Sequence, residues 1–122
     1  MFLNLLKPEE KSAFLTLAKR VIAADQVIAS KEMVMLESMK KELEITDEQI
    51  EELEDDLPSL CSKFSSSKSK VSALMELIGI GFVDGQFVHE EQDVIYEIAQ
   101  HMGISKEETT MYVDWARRVY IN

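Results

Sequence analysis

Cysteine is nearly absent from this chain. Among its 122 residues Cys61 stands alone, which excludes an intramolecular disulfide and points to a reducing, cytoplasmic setting. Proline occurs twice and glycine four times, so the residues that interrupt helices are scarce. No run approaches the ~18 consecutive apolar residues that span a bilayer, so no direct membrane insertion is expected. The apolar opening Met1-Phe2-Leu3-Asn4-Leu5-Leu6 lacks a basic start and gives way at once to Lys7-Pro8-Glu9-Glu10, which is not the pattern of an export signal. Zinc spacings and phosphate-binding glycine loops are missing. Cys61 has Lys63 nearby but no histidine close in sequence. It reads as an inert buried thiol rather than a nucleophile, and the chain reads as a non-enzyme.

Positive charge is also in short supply. Lys and Arg number 13 against 23 Asp and Glu, a net charge of −10, which argues against a nucleic-acid partner held through its phosphates. From Glu42 to Asp56 there is no Lys or Arg at all. This stretch is either a docking face for a basic protein partner, with Glu51, Glu52, Asp55 and Asp56 as its charges, or a solvated helix face that keeps the protein soluble.

What is present is helical periodicity, and no segment alternates convincingly with the period of a strand. Pro8 opens a first helix, as proline can at the first helical position, and Phe14, Leu17, Ala18, Val21 and Ile22 form its apolar stripe. Ser30 caps a second helix bearing Met35, Leu36, Met39 and Leu43. Thr46 with Gln49 opens a third, with Ile50, Leu53 and Leu57 inward. Leu57-Pro58 should stop or redirect it, and a short helix through Leu60, Cys61 and Phe64 follows. The polar Ser65-Ser66-Ser67-Lys68-Ser69-Lys70 reads as a mobile connector. Val71, Leu74, Met75, Ile78 and Phe82 mark the next helix, on which Gly79 and Gly81 admit a close neighbour. Ile95, Ile98, Ala99 and Met102 mark another, ended by Gly103. Ser105 and Glu108 make a capping box for the last, with Tyr112, Trp115, Ala116 and Val119 on its inner side.

One motif occurs twice: Ala24-Asp25-Gln26-Val27-Ile28-Ala29-Ser30-Lys31-Glu32 and Val83-Asp84-Gly85-Gln86-Phe87-Val88-His89-Glu90-Glu91. The offset that superposes Asp25 on Asp84 also pairs Leu36 with Ile95, Met39 with Ile98, Leu43 with Met102 and Ile45 with Ile104. The expected fold is therefore all-α, a compact bundle of about seven helices. It is built from two pseudo-symmetric helix-turn-helix repeats, about 8–57 and 69–120, joined by a polar connector at about 58–68, within one domain spanning 1–122.

Asp25 and Asp84 sit where helices end, and a negative charge there opposes the helix dipole. Either each Asp builds its own turn by accepting backbone N–H bonds, or a bound cation offsets the charge. Glu32 and Glu91 fall in the first turn of the following helices. If the loops converge, Asp25, Glu32, Asp84 and Glu91 offer oxygen ligands suited to Ca²⁺, Mg²⁺ or Mn²⁺. An EF-hand is excluded, because Val27, Ala29 and Leu36, or Gln86, Val88 and Ile95, occupy ligand positions. Asp93, Glu97 and His101 share one helix face and read as an exposed face rather than a metal stripe.

The doubled motif resembles that of the tellurite-resistance TerB-like family, which includes the membrane-proximal domain of a DnaJ-type co-chaperone. The residues that carry the likeness are Ile22-Ala23-Ala24-Asp25-Gln26-Val27-Ile28 with Glu32, and Gly81-Phe82-Val83-Asp84-Gly85-Gln86-Phe87 with Glu91. Gln26 stands where the family has Gly, and Phe87 where it has Ile. The resemblance implies a small acidic helical domain linked to tellurite and other stress responses, with metal binding and roles in complexes near the inner membrane. The expected function is an interaction or sensing module that binds a protein partner through an acidic face; the alternative is a divalent-metal-binding protein using the repeated loops.

Overall fold

A computed structural model of the chain describes residues 6–24, 30–44, 56–82 and 87–120. Among these every regular element is a helix: α1 (Pro8–Ile22), α2 (Ser30–Leu43), α3 (Leu57–Cys61), α4 (Ser67–Phe82), α5 (His89–His101) and α6 (Lys106–Tyr120). The helix expected to open at Thr46 falls on 45–55, outside the described residues.

The helix α4 is the centre of the packing. It lies against α1, α5 and α6, while α1 also meets α2, α3 and α5, and α3 meets α5. Its sequence explains the position, since Ala73, Leu74, Leu77, Ile78, Ile80 and Phe82 are all buried and leave no polar face along its second half, the mark of a central helix. The expected one-sided stripe is therefore too narrow: Leu74, Ile78 and Phe82 are buried, Val71 and Met75 only half-buried. The stripe of α1 is buried from Ala13 to Ile22 as its spacing requires, and Leu36, Met39 and Leu43 of α2 are buried as well. Each fully buried Leu, Ile or Phe of this set contributes about 1.5–3 kcal/mol relative to exposure.

The glycines of α4 have the packing role their placement implies. A Cβ on Gly79 would lie 2.9 Å from the Tyr120 hydroxyl, and one on Gly81 would run into the Phe87 ring. Phe82 meets Phe87 with centroids 4.6 Å apart, and Tyr120 stacks over Phe82 at 6.3 Å. Small residues on α4 thus let α6 and the start of α5 close over the Phe82 end of the core.

One joint follows expectation and one departs from it. The short helix expected through Leu60 and Cys61 is α3, with Pro58 in its first turn, Asp56 as the cap accepting the Ser59 N–H at 3.0 Å and Phe64 beyond its end; a first-turn proline costs no hydrogen bond. The serine-rich stretch expected to be a connector is drawn into α4 from Ser67 onward. Ser66 and Ser69 make a reciprocal cap there: Ser69 N–H donates to Ser66 Oγ at 3.0 Å and Ser66 N–H to Ser69 Oγ at 3.2 Å. The end of α5 follows the sequence closely. Gly103 takes φ +78°, Ile104 N–H reaches the Ala99 carbonyl at 2.9 Å and Gly103 N–H that of Gln100 at 3.1 Å, which is a Schellman end.

The last helix carries a correction. Ser105 Oγ accepts the Glu108 N–H at 3.0 Å, but the Glu108 carboxylate takes the Tyr112 hydroxyl instead of closing the capping box. The buried positions are Thr109, Val113 and Ala116, whereas Trp115 is 51% and Val119 53% exposed. The inner face is set by what fits against α4, and its tight approach at Gly79 selects the row Thr109, Val113, Ala116 and Tyr120 over the bulkier neighbouring row.

Candidate functional site

Of the four carboxylates in the doubled motif, Asp25 and Asp84 lie outside the described residues, as does the side chain of Glu32. Glu32 and Glu91 are each the third residue of their helices, α2 and α5. Glu91 is 2% exposed, a buried carboxylate in the first turn of α5. Its place at the positive end of a helix is the electrostatically favoured one. Among the described residues no three His, Cys, Asp or Glu side chains are grouped so as to hold a metal ion.

Of the acidic-face residues, Glu51, Glu52 and Asp55 also lie outside the described residues, and Asp56 lies within them. Asp56 is exposed and doubles as the α3 cap. Its carboxyl is held below the ordinary value first by the hydrogen bonds from Ser59 and then, against a small opposing effect of burial, by His101 and Arg20. The helix it caps, α3, packs on α5, along which Glu97, Asp93 and Glu90 are exposed. His89 Nε2 lies 3.5 Å from Asp93 Oδ2. The stripe Asp93, Glu97 and His101 is thus an exposed face, as its pattern led one to expect.

Packing of α3 on α5 puts Cys61 beneath this face. Its thiol is 1% exposed and lies 3.7 Å from the Ile98 carbonyl. Burial, and secondarily the charge of Glu97, push it up to about 11. A thiol so protonated near neutral pH is a poor nucleophile.

A shallow cleft of about 750 Å³ opens where α5 meets the start of α6. Asp93, Tyr96, Glu97 and Gln100 line it from α5, and Ile104, Ser105 and Lys106 from the turn and α6. The Tyr96 hydroxyl and Thr110 Oγ1 are 2.8 Å apart and tie the two helices at its wall. Two carboxylates, an aromatic ring and an amide around one depression can accept a cationic side chain, with the ring covering the methylenes and the carboxylates the charge. Sequence reasoning placed Asp93 and Glu97 on one face but missed the cleft, because nothing in the order of residues says that Ile104 to Lys106 fold back against that face.

A second feature was not legible in the sequence. Glu10 reads as an ordinary acidic residue of a first helical turn, yet it is 1% exposed. Its carboxylate accepts the Lys7 N–H at 2.8 Å and, across the fold, the Ser65 N–H at 2.9 Å. Burial pushes the carboxyl up, but the Lys7 and Ser65 N–H groups, the Ser69 hydroxyl and the Lys7 charge outweigh it and leave it below the ordinary value. Comparison with protein-family models, with curated proteins and with solved structures finds no match to this chain.

Proposed function

We propose that this chain is a non-enzymatic, TerB-like interaction or sensing module of the cytoplasm, linked to tellurite or another stress response, that binds a basic segment of a protein partner through its acidic face. The observation that carries this reading is the cleft where α5 meets the start of α6, lined by the exposed Asp93 and Glu97 with Tyr96; α3, capped by the exposed Asp56, packs on the same helix. Glu51, Glu52 and Asp55 extend the same acidic run in sequence. Exposed ion pairs contribute about 0–1 kcal/mol each, so such a face works through several of them and through the cleft. Among the described residues no helix is long and apolar enough to cross a membrane. The finer architecture belongs to the same reading: seven helices in two pseudo-symmetric halves, supported by Glu32 and Glu91 at the third position of their helices.

The test is calorimetric titration with a Lys/Arg-rich peptide at low and high salt, using the wild type and an Asp93→Asn/Glu97→Gln variant. Binding that weakens with salt and weakens again in the variant is the expected result. Salt-insensitive binding, or a variant equal to the wild type, overturns the reading.

The alternative is a divalent-cation site for Ca²⁺, Mg²⁺ or Mn²⁺ made by Asp25, Glu32, Asp84 and Glu91, and the burial of the Glu91 carboxylate favours it. A cation bound only by the folded protein at 100 times its Kd adds about 2.7 kcal/mol of stability. Thermal melts of metal-stripped protein with and without each cation, repeated on Asp25→Asn/Asp84→Asn, separate a site from a pair of structural turns.

A further inference from the structure

The cleft between α5 and the start of α6 has walls of opposite charge. Asp93 and Glu97 line it from α5 and Lys106 from α6, and all three are exposed. Asp93 meets the exposed His89 at 3.5 Å, a pair worth little in water, and among the described residues no ion pair engages Lys106. The backbone on the Lys106 side is open as well. In a closed capping box Glu108 would take the Ser105 N–H, but its carboxylate takes the Tyr112 hydroxyl. The Ser105 N–H, at the lining of the cleft, is therefore open to another acceptor. There is room for one at this turn, since a Cβ on Gly103, also in the lining, would meet nothing within 4 Å. Glu107 is exposed but outside the lining.

The two walls suit different groups. The carboxylates attract a cation, whereas Lys106 repels one and, with the Ser105 N–H, suits a carboxylate. A basic residue inside a Lys/Arg-rich chain would bring neutral backbone or a further cation against Lys106. A basic residue at the end of a chain brings its own carboxylate. We propose, building on the basic-segment reading above, that this cleft takes the C-terminal residue of its partner, a lysine or arginine. Its cationic side chain lies on Asp93 and Glu97, and its α-carboxylate on the Ser105 N–H and the Lys106 amine. The methylenes of that residue cover Tyr96, whose hydroxyl is held 2.8 Å from Thr110 Oγ1. Capture of a terminal carboxylate by backbone N–H groups is a recurrent mode of peptide recognition, and the start of α6 adds the positive end of its dipole.

Calorimetric titration of the full chain with a Lys/Arg-rich peptide ending in arginine tests this. The peptide is used as the free acid, as the C-terminal amide, and as the free acid extended by alanines, which keeps the carboxylate but moves it away from the arginine. The free acid should bind at least about tenfold more tightly than either of the others, the size expected of hydrogen bonds to a charged group. Lys106→Gln should weaken binding of the free acid and leave the amide no weaker. Lys106 is exposed, and circular dichroism checks that the variant stays folded. Equal affinity for the three peptides, or a Lys106→Gln variant that weakens all three alike, overturns the proposal; the basic-segment reading then still stands if binding weakens with salt and in Asp93→Asn/Glu97→Gln. No binding of any of the peptides overturns both.

Discussion

The buried carboxylate of Glu10 is where a single residue decides most. It ties the first turn of α1 to the chain before α4, accepting the Lys7 N–H close by and the Ser65 N–H 55 positions further along the sequence. Glu10→Gln keeps the shape but loses the charge, and hydrogen bonds to charged groups are worth about 1.5–3 kcal/mol. Chemical denaturation at neutral pH should register a loss of that size. Because the carboxyl is held below its unfolded value, its contribution is fully present above the unfolded value. It is lost as pH falls through the folded one. The wild type should therefore lose stability on acidification more steeply than Glu10→Gln, and equal slopes would remove Glu10 from the account. Glu44 offers the opposite sign. It ends α2 with φ +58°, a conformation costing an L-residue about 1 kcal/mol or more, so Glu44→Gly should raise the denaturation midpoint. At Cys61, burial beside the Ile98 carbonyl should make labelling by a thiol reagent in native protein as slow as global unfolding permits.

The helices themselves were legible to different depths. Pro8, Gly103 and Ser105 mark boundaries that the structure places where the sequence does, because caps and left-handed ends are local chemistry. The interior of α4 was readable only in part, since a helix packed on three sides has no polar face to fix its orientation. The inner side of α6 was read correctly at Ala116 and Tyr112 and misjudged at Trp115 and Val119, because these two are as apolar as the row that packs and only the close approach at Gly79 decides between them. That decision is testable in α4. Gly→Ala in a helix interior gains about 1 kcal/mol from propensity alone. At Gly81 the added methyl meets the ring of Phe87, and overpacking costs about 1–3 kcal/mol. Gly81→Ala should be destabilising, and Gly79→Ala less so, because the half-exposed Tyr120 can swing its hydroxyl away. Thermal melts of the two variants should rank in that order, and equal or reversed effects would show that the α4 contacts are looser than described.

At the scale of the whole molecule the sequence gives an acidic, all-helical chain, and the fold adds where the acid collects. Asp56 caps α3, and α3 packs on the helix that carries Glu90, Asp93 and Glu97, a contact between segments some 40 residues apart. No local pattern announces it. The doubled Asp/Glu motif was the clearest signal in the chain, and of its four carboxylates the described structure holds the side chain of Glu91 alone, buried at the start of α5. The acidic face is exposed and its reach is screened beyond about 8 Å at physiological salt, so a basic partner must come into contact to be held. The measurement that tests the central claim most directly is a backbone-amide NMR titration with a Lys/Arg-rich peptide. The account predicts shifts concentrated at Asp56, along Asp93 to Gln100 and at Ile104 to Lys106, fading as salt is raised. Shifts scattered over the surface, or gathered on a face without these residues, would contradict it.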